Sequence, residues 1–168
     1  MNETSLSLLN RLGQSSDSEA WNRLVGLYTP LLKRWLARYD IQDSDADDLV
    51  QEVLLAVSKD VRDFDHSGRS GAFRSWLRMI LVHRLRNFWR ARGRRPQAHG
   101  DSDMQRQLDQ LEYPASQLSQ LWNRQHDHCV VRQLLMETEQ QFAPETWQAF
   151  CRVTLEGERA NPDYSLPT

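Results

Sequence analysis

The sequence predicts an all-α protein. Apolar residues recur at helical spacing along nearly the whole of its 168 residues, and no run alternates strictly enough to make a convincing strand. Hydrophobic residues make up 39% and charged residues 26%, a globular balance that excludes a disordered chain. The length suits one domain with a small appendage rather than two full-sized domains. No apolar run approaches the roughly 20 residues needed to cross a bilayer, and Glu3 stands where a signal peptide would carry positive charge. A cytoplasmic protein with no membrane segment is expected.

The elements follow in order. A first short helix is expected over "LSLLNRLG", stopped by Gly13, and "QSSDSE" breaks the chain before a second helix from Glu19 to about Tyr39. Trp21, Leu24, Leu27, Tyr28, Leu31, Leu32, Trp35 and Leu36 give that helix its apolar residues, and Pro30 predicts a kink or a restart. Ser44 and Asp47 form an S-x-x-D capping box at the head of "DADDLVQEVLLAVSKDV". On a helical projection Leu49, Val50, Val53, Leu54, Ala56 and Val57 share one face. Asp48, Gln51, Glu52 and Lys59 share the other, with Leu55 stranded among them.

After the Gly- and Ser-rich loop "RDFDHSGRSGAF" a long helix is expected from about Ala72 to Arg92, ended by Gly93 and Pro96. The polar stretch "QAHGDSDMQRQ" has the composition of a linker. "PASQLSQLWNRQHDHCVVRQLLMETEQQF" and "PETWQAFCRVTLEGE" read as two further helices, the second opened by Pro144 and closed by Gly157.

Charge is sharply partitioned although the formal net charge is only −2. Acids stand at 40, 43, 45, 47, 48, 52, 60, 63 and 65, against only Lys59 and Arg62. Between His66 and Gly100 there is no acid, and arginines stand at 69, 74, 78, 84, 86, 90, 92, 94 and 95. The projection puts Phe73, Trp76, Leu77, Ile80, Leu81, Leu85 and Phe88 on one face and Arg74, Arg78, Arg86 and Arg90 opposite. Like charges at i, i+4 destabilise a helix by a few tenths of a kcal/mol per pair, so an external anion is expected to offset them. Arginine interleaved with aromatic residues suits phosphate forks and stacked bases, which points to nucleic acid.

Those two helices together, "DADDLVQEVLLAV" and "FRSWLRMILVHRLRNFWRARGRR", resemble region 2 of a bacterial sigma factor of the extracytoplasmic-function (ECF) type, over roughly Leu6 to Pro96. The resemblance implies a helical bundle that binds the clamp coiled coil of the largest subunit of core RNA polymerase. The D-L-x-Q-E motif here is Asp48, Leu49, Gln51 and Glu52, so Asp48, Gln51, Glu52, Leu55 and Lys59 are the implied polymerase contacts. It further implies that the next loop and helix engage the −10 promoter element, flipping non-template bases out of the stack. Arg74, Arg78, Arg86 and Arg90 are the implied phosphate contacts, His66, Ser67, Arg69 and Ser70 the loop contacts, and Trp89 a candidate at the basic margin. Trp76 reads as a core residue. The family commonly has Asn and Asp where this chain has His83 and Asn87.

"QQFAPETWQAFCRVTLEGERA" resembles the opening of region 4, the module that reads the −35 element, and "NPDYSLPT" is too short for its two remaining helices. The expected organisation is a region 2 helical domain over 1–96, a linker over 97–115 and truncated region 4-like helices over 116–168. The implied function is to direct transcription initiation, without enzymatic activity or cofactor, with an anti-sigma protein as a further partner. The rival is a truncated sigma-like protein that occupies polymerase or an anti-sigma protein without initiating.

Two chemistries find weaker footing. Asp45, Asp48 and Glu52 could hold magnesium, but bundle metal sites draw acids from facing helices and no second carboxylate pair stands out. "HDHC" (His126 to Cys129) lacks zinc-ligand spacing, and Cys129 and Cys151 are expected as reduced thiols.

Overall fold

A computed structural model describes residues 11–12, 18–64, 69, 71–93 and 101–154. The described residues form six helices and no strand: α1 (Ser18–Leu36), α2 (Asp43–Asp60), α3 (Ala72–Gly93), α4 (Asp101–Glu112), α5 (Gln117–Glu139) and α6 (Pro144–Thr154). The all-α expectation holds. Most of "LSLLNRLG" lies outside the described residues, though Arg11 and Leu12 are helical and Leu12 is buried.

Helix α1 buries Ala20, Leu24, Tyr28, Leu31, Leu32, Trp35 and Leu36, a face set by i+3 and i+4 steps. It runs unbroken through Pro30, against the expected kink or restart. Proline leaves the Gly26 carbonyl without its N–H donor, but Gly26 and Pro30 both lie on the exposed side, where water can serve that carbonyl. Helix α2 buries the six residues that the projection assigned to its inner face. Its start departs from the expected capping box. The helix begins at Asp43, Gln42 at the N-cap makes no side-chain bond, and Asp47 pairs with Lys33 Nζ at 2.7 Å.

Helix α3 packs against both α2 and α4, and α1 packs against α2. The stretch read as a linker is therefore corrected over 101–112: it is helix α4, which buries Leu108 and Leu111. The chain divides into two compact units, Met1–Cys129 and Val130–Thr168, rather than at 96 and 116. In the first unit the N-terminal half of α5 belongs to the core: Trp122 meets Trp35 edge to face at 5.2 Å and donates from Nε1 to the Arg74 carbonyl at 2.9 Å. Ser119 Oγ donates to the Leu111 carbonyl at 2.7 Å, joining α5 to the end of α4. In the second unit Trp147 stacks on Phe150 at 5.4 Å, and α6 buries none of its residues.

Candidate protein- and nucleic-acid-binding faces

The outer face of α2 is built as the sequence predicts. Asp48, Gln51, Glu52 and Lys59 are exposed and follow one another at helical spacing, and Leu55 in their midst is 54% exposed. The helix cannot turn Leu55 inward, because Leu49, Val50, Val53, Leu54 and Val57 already hold the opposite face in the core. Ion pairs fix this helix against its neighbours: Lys33–Asp47 at 2.7 Å, Arg92–Asp45 at 2.9 Å and Arg84–Glu52 at 4.0 Å. Arg92 also lies over the Phe88 ring, 4.9 Å from its centroid, so the end of α3 is clamped to the start of α2.

The arginine helix departs from expectation. Arg74, Arg78 and Arg86 do not form an outward row with Arg90, because α3 is covered by α4 and α5 as well as by the apolar core. Arg74 Nη1 donates to Asp127 Oδ2 at 2.5 Å. Arg86 Nη2 donates to Asp109 Oδ1 at 2.8 Å and also to Glu112. Arg78 is only 3% exposed and makes no hydrogen bond or ion pair among the described residues. The charges of Arg74 and Arg86 are paired across the fold, by carboxylates that lie outside the acid-free window from His66 to Gly100.

The surface that α3 does present is a stripe of Met79, His83, Asn87 and Arg90, with Ala91 beside it, at steps of four, four and three. Arg69 is exposed just ahead of the helix. His66, Ser67 and Ser70 lie outside the described residues. Trp89 is partly buried against Phe88, with ring centroids 5.1 Å apart, and its Nε1 is sealed without a partner. Trp76 stacks on Phe64 at 4.6 Å, in line with its reading as a packing residue.

Beneath Arg74 runs a polar chain. Tyr28 Oη lies 3.1 Å from His126 Nε2, and His126 Nδ1 lies 3.1 Å from Asp127 Oδ1, whose second oxygen accepts from Arg74. Burial alone would raise the Asp127 pKa, but hydrogen bonds from His126 and Arg74, reinforced by their charge, bring it below its ordinary value. The Glu112 hydrogen bond leads the effects that raise the Arg86 pKa. Neither Cys129 nor Cys151 forms a disulfide, and Cys129 Sγ donates to the Leu27 carbonyl at 3.4 Å. Among the described residues no group of three or more His, Cys, Asp and Glu is placed to hold a metal, and no helix is long and apolar enough to cross a membrane.

Comparison with known families turns on the three helices that carry these faces. Residues 24–95 match the family described as Sigma-70 region 2. This segment is a sigma-70 region 2 domain. The relatives agree. The ECF RNA polymerase sigma-E factor of Haemophilus influenzae is 36% identical over 93 residues, which cover 55% of this chain and 47% of that protein. The ECF RNA polymerase sigma-E factor of Escherichia coli K12 is 35% identical over 83 residues, 49% of this chain and 41% of that protein. The chain thus spans less than half the length of these curated relatives. No solved structure matches it. The region 2 match contains α2 and α3 whole and ends before α4, so the helices that neutralise Arg74 and Arg86 lie beyond the matched segment.

Proposed function

We propose that this chain acts in transcription initiation as an ECF-type sigma factor, binding core RNA polymerase through the outer face of α2 and offering α3 to the −10 promoter element. The observation that carries the reading is Leu55: a large apolar side chain 54% exposed, ringed by Asp48, Gln51, Glu52 and Lys59, on the motif-bearing helix of a sigma-70 region 2 domain. An apolar centre with a polar rim is the anatomy of a protein interface. The clamp coiled coil of the largest polymerase subunit is the partner we assign to it.

For DNA, the reading uses what α3 leaves open. Arg69 and Arg90 are exposed cations suited to phosphates, and His83, Asn87 and Met79 are exposed side chains able to meet bases. His66, Ser67 and Ser70 complete the loop in this proposal, and Trp89 would have to turn outward to stack on a base. The polypeptide works without a catalytic step, in the cytoplasm, and an anti-sigma protein is a further partner.

The test is binding of the full chain to core RNA polymerase. Leu55→Arg is expected to weaken it by at least about tenfold, the scale of a central interface residue, and absence of binding by the wild type would sink the proposal. A second reading has its own support: Asp127, Asp109 and Glu112 already engage Arg74 and Arg86, which favours a protein that occupies polymerase without initiating. Specific transcripts from reconstituted polymerase on genomic fragments would exclude that reading.

A further inference from the structure

At the N-terminal end of α3 two arginines lie close together, and among the described residues only Arg74 meets a carboxylate. Arg78 is 3% exposed, its Nε is sealed from solvent without a partner, and no carboxylate reaches it among the described residues. One turn earlier, the Arg74 guanidinium lies against the backbone of Gly71. A Cβ built there would fall 2.7 Å from Arg74 Nε and 2.9 Å from its Cζ, and Gly71 holds φ +80°. Arg74 Nε is likewise sealed and unpartnered, and among the described residues only Nη1 meets an acid, Asp127.

Direction and field add to this. Long side chains on a helix lean toward its N-terminus, so Arg78 reaches back over the turn that carries Arg74. The helix start is the positive end of its dipole, and the first turn of α3 contains no acid. The Arg78 pKa is lowered, first by burial and then by the Arg74 charge, so the two guanidinium groups sense each other. A buried cation that lacks its counter-ion is a standing cost that a methionine of similar length would not incur. Its presence is explained if an anion completes the group.

We propose that Arg74 and Arg78 seat a phosphate-type oxyanion at the N-terminal end of α3. Guanidinium forks match the oxygens of phosphate in geometry as well as charge, and an N-terminal helix end adds to their attraction. The oxyanion comes either from a DNA strand or from phosphate free in solution; only the first source rests on the function proposed above. The seat is separate from the exposed stripe of Met79, His83, Asn87 and Arg90. It lies on the side of α3 toward α5, where Asp127 and Trp122 touch Arg74.

The experiment uses the full chain as wild type, Arg78→Met, Arg78→Lys and, as a charge-matched control, Arg106→Met. Thermal unfolding is followed in rising inorganic phosphate at constant ionic strength set with chloride, and a labelled single-stranded oligonucleotide is titrated by anisotropy. Phosphate is expected to raise the wild-type and Arg106→Met midpoints saturably. Apparent phosphate affinity should fall at least about tenfold in Arg78→Met and less in Arg78→Lys, which keeps the charge but loses the fork.

A response confined to the oligonucleotide, lost in Arg78→Met and kept in Arg106→Met, assigns the seat to a strand phosphate. A response to inorganic phosphate assigns it to the free anion. The proposal is overturned if neither ligand distinguishes Arg78→Met from wild type. Binding to core RNA polymerase, read through Leu55→Arg, stands or falls separately, since Arg78 lies on another helix and is buried.

Discussion

Asp127 serves two partners, taking a hydrogen bond from Arg74 on one oxygen while the other lies against His126. Its pKa is depressed below the ordinary 3.8 of a free carboxyl. A carboxyl held lower in the folded chain than in the unfolded one adds stability above the unfolded value, and that stability disappears as pH falls through the folded value. Removing it with Asp127→Asn should therefore lower the urea midpoint at about pH 5, with the gap closing below about pH 4. A gap that widens below about pH 4 would contradict the assignment. The side chain is half exposed, so solvent screening keeps the whole effect modest. None of this was legible locally. "HDHC" drew attention as a metal pattern, whereas the fold uses His126 to bridge Tyr28 and Asp127.

At the scale of elements, the faces of α2 were legible because its two sides differ in kind: six apolar residues turn inward and Leu55 alone stands against the pattern. The faces of α3 were only half legible. The apolar face was correctly placed, but the opposite face was read as outward because its acids lie in other helices: Asp109, Glu112 and Asp127. Helix α4 was missed for a related reason. Met104, Leu108 and Leu111 recur at helical spacing within "DSDMQRQLDQLE", yet the polar majority gave the stretch the composition of a linker. The pairing of Arg86 has a testable result. Asp109→Asn combined with Glu112→Gln releases one arginine, which should tighten non-specific DNA binding and steepen its log–log salt dependence by about one unit. Unchanged binding and slope would mean that Arg86 serves only to hold α4.

For the whole molecule, the first compact unit reaches Cys129, past the end of the sigma-70 region 2 match at residue 95. The sequence marked a boundary at Pro96, and a proline among glycines and arginines carries that signal well. It could not reveal that Trp122, distant along the chain, is fully buried against Trp35. Trp122→Ala is expected to cost about 3–5 kcal/mol in chemical denaturation, the range for a large buried aromatic residue. Were 117–129 an appendage outside the domain, the loss would be near zero. The charge blocks follow the same logic. The acidic and basic runs that looked like a molecular polarity are partly cross-paired, Asp45 with Arg92 and Glu52 with Arg84, which leaves the open stripe of α3 with fewer unbalanced cations than the sequence suggests.

The Trp35–Trp122 pair carries one more consequence. Two indoles held edge to face, their ring planes 89° apart, sit in a fixed chiral environment. Such packing produces near-ultraviolet circular dichroism that vanishes when tertiary order is lost. One indole belongs to α1 and the other to α5, so the molecule carries a built-in optical gauge of whether the helices beyond the matched segment remain docked, readable without any label while polymerase or DNA is added.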